Sequence, residues 1–183
     1  MQKIIFLDTE TTGLDPKKHE IIDIAMIILT ADERIVYHTK IKPSRIIDAD
    51  IKALEVNGYT DDKWSKAPDM AECIHEIHKH LMDAYIIGYN PQFDVGFLEN
   101  TLREYGLAVP RLRCIDLMAL SFYFLMPLGI KSLSLDSVRK FLGISPQHAH
   151  TALKDAWDCM YLWQKYKKWK IWDSWWYYFK NRL

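Results

Sequence analysis

The sequence predicts an α/β fold with a mixed five-stranded sheet flanked by helices. Three observations lead there. Apolar runs at 4–7, 21–29 and 35–41 follow one another through short links, as strands of an antiparallel meander do. Two later runs, 84–89 and 113–115, alternate with helical patterns, which calls for parallel pairing. The first run then ends in two acids one residue apart, Asp8 and Glu10, on one face of a strand.

Taken in order, 4–7 is a buried strand and 14–20 a polar connection holding Pro16. Residues 21–29 form the second strand, 30–34 a turn, and 35–41 a third strand that Pro43 ends. Residues 48–56 are a short helix stopped at Asn57-Gly58. Residues 69–82 make an amphipathic helix, with Met70, Cys73, Ile74, Ile77 and Leu81 on one stripe. His75, His78 and His80 lie there too. Only His75 and His78 share a face and no acid or Cys completes a ligand set, so a polar helix face is preferred over a metal site. Residues 84–89 are the fourth strand, and Asn90-Pro91 opens a helix over 92–105 that Gly106 ends. After the fifth strand, Asp116 caps a helix over 117–125 rather than adding a ligand. Ser132 caps a helix over 133–142 that Gly143 ends. A loop over 145–150 leads to a helix starting near Thr151. With no internal repeat and no low-complexity linker, one domain is expected over 1–160, followed by an aromatic, basic helix over 161–183.

A chain of 183 residues buries a sizeable core in one domain. Formal net charge is zero, which gives no support to a long electrostatic footprint on nucleic acid. Grip on a few terminal nucleotides through metal ions needs no such footprint. Cys73, Cys114 and Cys159 lack zinc-site spacing and read as free thiols of a reducing compartment. The start carries a strand with acids rather than a signal peptide, and no apolar stretch reaches transmembrane length. A cytoplasmic location is expected, bacterial or in a host cell if the chain is virus-encoded.

Asp8 and Glu10 aim together from the end of a buried strand. Carboxylates that close repel and lose hydration unless a cation sits between them. Oxygen ligands suit Mg²⁺ or Mn²⁺ better than zinc. Alone, the pair could equally close a strand and cap a turn, but later residues supply partners. Thr11-Thr12-Gly13 offers hydroxyls, backbone N–H groups and a flexible Gly beside the acids. Asp94 stands one turn into the helix after the fourth strand, at the carboxyl edge where ligands gather; favourable charge at a helix start is its plainer reading. His150 and Asp155 do not share a helix face, so His150 belongs to the loop and Asp155 to the early helix. That puts a mobile imidazole near a rigid carboxylate. Histidine's near-neutral pKa suits a general base for an attacking water. Two metals about 4 Å apart would hold the attacking and leaving oxygens of a phosphodiester. Four acids and one His near one sheet edge fit that chemistry better than five unrelated caps.

Three segments carry a resemblance: Asp8-Thr9-Glu10-Thr11-Thr12-Gly13-Leu14, Asn90-Pro91-Gln92-Phe93-Asp94 and His150-Thr151-Ala152-Leu153-Lys154-Asp155-Ala156. In that order they resemble the three motifs of the DEDDh 3′–5′ exonucleases, the family of polymerase proofreading subunits and ribonuclease T. The likeness covers residues 1 to about 160. It implies a ribonuclease H-like fold and release of nucleoside monophosphates from the 3′ end of single-stranded DNA or RNA. It implies two Mg²⁺ or Mn²⁺ ions, with Asp8, Glu10 and Asp155 holding one, Asp8 bridging to the second and Asp94 acting mostly through metal-bound water. His150 would be the base. Backbone around Thr11, Thr12 and Gly13, with Asn90, would meet the terminal nucleotide, Leu14 would wedge against its base, and Phe93 would pack behind the site. His148 lacks the family's spacing to Asp155 and is left to a phosphate contact or no role. Short oligonucleotides or signalling nucleotides remain alternative substrates. A catalytically silent nucleic-acid-binding module is the rival class, against which the intact acid set argues.

The C-terminal stretch departs from that pattern. Trp157, Trp163, Trp169, Trp172, Trp175 and Trp176 crowd it, and Tyr166, Trp169, Trp172, Trp176 and Phe179 recur at helical steps among lysines. Three uses compete: packing on the domain or on a second copy, docking a protein partner or membrane surface, and stacking on single-stranded nucleic acid.

Overall fold

Apolar β-branched runs pair into one sheet whose order, in the computed structural model, is β3-β2-β1-β4-β5. The structure describes residues 2–147 and 149–169. The strands are β1 (Lys3–Thr11), β2 (Ile21–Leu29), β3 (Arg34–Lys40), β4 (Ala84–Gly88) and β5 (Arg113–Asp116). β1 pairs antiparallel with β2, and β2 with β3; β1–β4 and β4–β5 are parallel. This is the mixed five-stranded sheet that the pattern predicts.

Helices cover both faces. They are α1 (Ile51–Asn57), α2 (Asp61–Trp64), α3 (Met70–Leu81), α4 (Pro91–Glu104), α5 (Leu117–Leu125), α6 (Leu135–Leu142) and α7 (Ala152–Lys168), with 3-10 turns at Ile46–Asp48 and Met126–Leu128. Alternate residues of β1 feed two cores. Ile5 and Leu7 join Ile74, Ile77 and Leu98 on the α3/α4 face. Phe6 joins Leu117, Val138, Ala156 and Leu162 on the α5–α7 face. By the same alternation Asp8 and Glu10 continue the Phe6 row toward α7, and Thr9 continues the Leu7 row toward α4. The central strand thus delivers its acids to one face and its threonine to the other.

Several boundaries move for physical reasons. β1 runs on to Thr11 because pairing with β2 carries the polar residues beyond the apolar run, with a register shift between Glu10 and Thr11. The cap of α6 is Ser134, not Ser132: the Ser134 side chain accepts from the Ser137 N–H, and the helix begins at Leu135. α2 is too short for periodicity to reveal. It buries Trp64, whose indole N–H donates to the Ile22 carbonyl at 2.7 Å. The histidines of α3 take a polar face, with His78 Nε2 at 2.8 Å from the Ala108 carbonyl oxygen. Asp116 caps α5 by accepting from the Met118 N–H.

The expected boundary after residue 160 falls inside α7, which continues to Lys168, where Trp169 turns extended. Tyr166 stacks on Phe124 at 5.2 Å and Trp169 meets the same ring edge-on at 5.7 Å. The first two residues of the aromatic stripe are therefore used in packing on α5. Trp172, Trp175, Trp176 and Phe179, and also His148, lie outside the described residues. Among the described residues no helix is long and apolar enough to cross a membrane.

Candidate active site

β1 and the first turn of α7 build the site between them. α7 packs across β1 and β2, and Asp155 is in its first turn. Ligand oxygens of Asp8, Glu10 and Asp155 all lie within 4.8 Å of one another. Asp155 is buried, while Asp8 and Glu10 keep part of their surface open.

Three carboxylates so placed resist ionisation. Burial, then Asp94, Asp155 and Glu10, push the Asp8 carboxyl well above the usual range. Burial and the neighbouring Asp155 and Asp23 raise Glu10 to about 8. Burial raises Asp155 as well, against the opposing pull of Arg139. A divalent cation would relieve this cost by giving the anionic forms a counter-charge. The donor set, oxygen alone from three acids, fits a hard divalent ion.

Asp94 approaches from the other face. Asn90 caps α4 in the left-handed conformation and Pro91 starts it, which sets Asp94 against β1. Its Oδ1 accepts from the Thr9 backbone N–H at 2.9 Å and from Thr9 Oγ1 at 2.7 Å. Burial pushes this carboxyl up to about 7, although both Thr9 bonds pull it down.

Three short motifs, far apart in sequence, thus meet at one sheet edge. The sequence profile of the exonuclease family (RNase T) matches residues 5–163. The chain belongs to the DEDDh exonuclease family. The PolC-type DNA polymerase III of Thermotoga maritima is 38% identical over 154 residues, covering 83% of this chain and 11% of that protein. DNA polymerase III subunit epsilon of Buchnera aphidicola is 33% identical over 123 residues, covering 63% of this chain and 50% of that protein. The chain therefore spans about a tenth of the PolC-type relatives and half of this epsilon subunit. Among solved structures, E. coli exonuclease I in complex with a dA16 oligonucleotide superposes with a TM-score of 0.76 at 22% identity, over 88% of this chain and 40% of that one. That likeness establishes the shared ribonuclease H-like fold.

Within this exonuclease domain the remaining predicted residues fall into two groups. A cleft of about 360 Å³ opens beside Glu10, with Thr11, Gly13 and Leu14 on one side and Val56, Asn57 and Phe93 on the other. Leu14 is 76% exposed there. A Cβ on Gly13 would lie 2.5 Å from the His19 ring, so a larger residue there would have to displace that ring. Phe93 both lines the cleft and packs behind it on Phe97, at 5.0 Å.

Thr12 is bonded within the fold, whereas Asn90 is engaged through its backbone and stays exposed. The Thr12 N–H donates to the Glu20 carbonyl, its own carbonyl accepts from the Asp50 N–H, and its hydroxyl accepts from the Glu20 N–H. The Asn90 N–H donates to Asp116 at 3.0 Å. His150 is in the loop, at φ 62°, with Nε2 at 3.4 Å from Asp136 Oδ2 and its side chain 46% exposed. It stands outside the carboxylate trio.

Two residues were not foreseen. Asn57, which reads in the sequence only as a helix stop, donates its Nδ2–H to the Thr11 carbonyl at 3.1 Å, and its Oδ1 is buried with no hydrogen-bond partner among the described residues. Arg139, which has no role in the sequence reading beyond its place in the helix over 133–142, is 1% exposed. No sequence signal marks an arginine whose burial depends on two partners from another helix.

Proposed function

We propose that this domain hydrolyses the terminal phosphodiester bond at the 3′ end of single-stranded nucleic acid, releasing nucleoside monophosphates one at a time. The observation that carries this is the convergence of Asp8, Glu10 and Asp155 on one point next to a cleft of nucleoside size. Asp8, Glu10 and Asp155 would hold a divalent cation, Mg²⁺ or Mn²⁺, with Asp94 completing a second position through water. Ions held there would supply Lewis-acid polarisation of the scissile phosphate and of the attacking water.

The chain's own residues supply the rest. Leu14, Val56 and Phe93 form apolar walls against which an unpaired base can lie. The cleft grips one unpaired nucleotide, which favours a frayed or single-stranded end over a duplex. Glu10 borders both the cleft and the cation position, so the terminal phosphodiester would lie between them. His150, loop-borne and half-exposed, is assigned the base; it must turn from Asp136 to take the proton of the attacking water. Thr9 holds Asp94 from behind.

DNA is the substrate class that the relatives favour, since those at 38% and 33% identity are DNA polymerase III proteins. The test is product analysis on matched 5′-labelled DNA and RNA strands and on dinucleotides. The reading expects 5′-monophosphates released in order from the 3′ end, fastest from DNA. Cleavage at internal bonds, or undiminished cleavage by Asp8→Ala, would contradict it.

A further inference from the structure

Arg139 lies on α6 next to the buried Val138 and is itself 1% exposed. A guanidinium at that depth is costly unless its charge and its donors are met. Three carboxylates meet them. Nε donates to Asp158 Oδ2 at 2.8 Å, Nη1 to Asp136 Oδ1 at 2.8 Å, and Nη2 to Asp155 Oδ1 at 2.5 Å. Lys154 Nζ closes the other side of Asp158 at 2.5 and 2.6 Å. The fork therefore touches one member of the carboxylate trio directly. Through Asp136 it also reaches the contact made by His150.

A staple between α6 and α7 would need Asp158 alone. The bond to Asp155 does something else. A carboxylate turns about χ2 over a broad range unless a partner holds its plane. An N–H aimed at Oδ1 from a rigid, planar fork fixes that plane and leaves Oδ2 as the oxygen not taken by the guanidinium. We propose that Arg139 is a positioning residue of the metal centre, setting the Asp155 carboxylate in the orientation that completes the trio with Asp8 and Glu10. This rests on the divalent-metal reading above.

Charge and orientation are separable: a variant that keeps the charge and loses the fork tests orientation alone. If orientation matters, losing the fork weakens binding even where the charge is kept. Partners that orient a metal ligand are worth about 10–100-fold in affinity.

The experiment is calorimetric titration of Mn²⁺ into the full chain without nucleic acid, well below the melting temperature of each variant. Arg139→Lys keeps the charge and loses the fork, and should bind Mn²⁺ about tenfold more weakly or worse. Arg139→Met combined with Asp158→Leu removes a buried charge pair at constant net charge, so no bare Asp158 carboxylate is left should the lysine variant fail to fold; Lys154, part-exposed, is left to solvent. It should show the same weakening. Val138→Ala lies beside Arg139 but touches no carboxylate; it should lower the melting temperature and leave Mn²⁺ affinity within about twofold. Wild-type affinity in Arg139→Lys and in the double variant would overturn the proposal and leave Arg139 a staple. Equal weakening in Val138→Ala would overturn it too, by tracing the loss to general loosening. Asp8→Ala separates the two readings. If it binds Mn²⁺ like the wild type, the metal reading fails and this proposal with it; if it loses binding while the Arg139 variants do not, only the role of Arg139 fails.

Discussion

Thr9 shows how one member of the proposed constellation is held by another residue's hydrogen bonds. Its backbone and hydroxyl both donate to one oxygen of Asp94. Such bonds favour the ionised form, so removing one raises the pKa. Thr9→Val should therefore shift the acid limb of the pH–rate profile of kcat to higher pH; an unmoved limb would detach Asp94 from the rate. Asp8 tests the cost of the trio. Crowding among buried acids destabilises the cation-free fold, so Asp8→Asn should inactivate the protein yet raise its melting temperature in chelator. A gain of about 1 kcal/mol corresponds to about 2–4 °C in a domain of this size. A lower melting temperature would mean that the Asp8 carboxylate is not strained there. Arg139 was invisible in the sequence for a related reason. Only α7 folding back supplies the Asp155 and Asp158 that let it be buried.

At the scale of elements, β1 organises the site because its alternation sends Asp8 and Glu10 to α7 and Thr9 to α4. That alternation is local chemistry, which is why the strands and the Asp8–Glu10 pair could be read directly, whereas Asp155 was joined to them only through the motif resemblance. What could not be read was anything fixed by a distant partner. α2 exists because Trp64 finds the Ile22 carbonyl and a buried slot, not because four residues favour helix. Trp64→Phe should remove one of the two hydrogen bonds on that carbonyl, which still accepts from the Ile41 N–H, and cost about 1 kcal/mol, read as a lower urea midpoint. Since α2 does not touch the carboxylate trio, kcat should hold. Thr12 likewise sits in a motif that resembles a substrate loop, but its backbone and hydroxyl are bound to Glu20 and Asp50. Motif spacing carries the chemistry of Asp8, Glu10, Asp94 and Asp155; it does not say which neighbours are scaffolding.

For the whole molecule, the buried acids tie stability to pH and to cations. Without a cation Glu10 titrates near 8 instead of 4.5, and Asp94 near 7 instead of 3.8. Between those values the folded chain keeps protons that the unfolded chain has released. Stability from these groups is thus greatest at the acid end and falls as pH rises toward about 8. In chelator the melting temperature should fall from about pH 5.5 to about pH 8, and Mn²⁺ should raise it more at the upper pH than at the lower. A flat profile in both conditions would contradict the shared burial of these acids. The central claim is that hydrolysis depends on a divalent cation held by Asp8, Glu10 and Asp155. Asp155→Asn tests it with the least disturbance, because the amide keeps the shape and its oxygen still accepts from Arg139. A 5′-labelled single strand of DNA should shorten from its 3′ end with wild type and Mn²⁺, and stay intact with chelator or with Asp155→Asn. Shortening by Asp155→Asn at the wild-type rate would contradict the account.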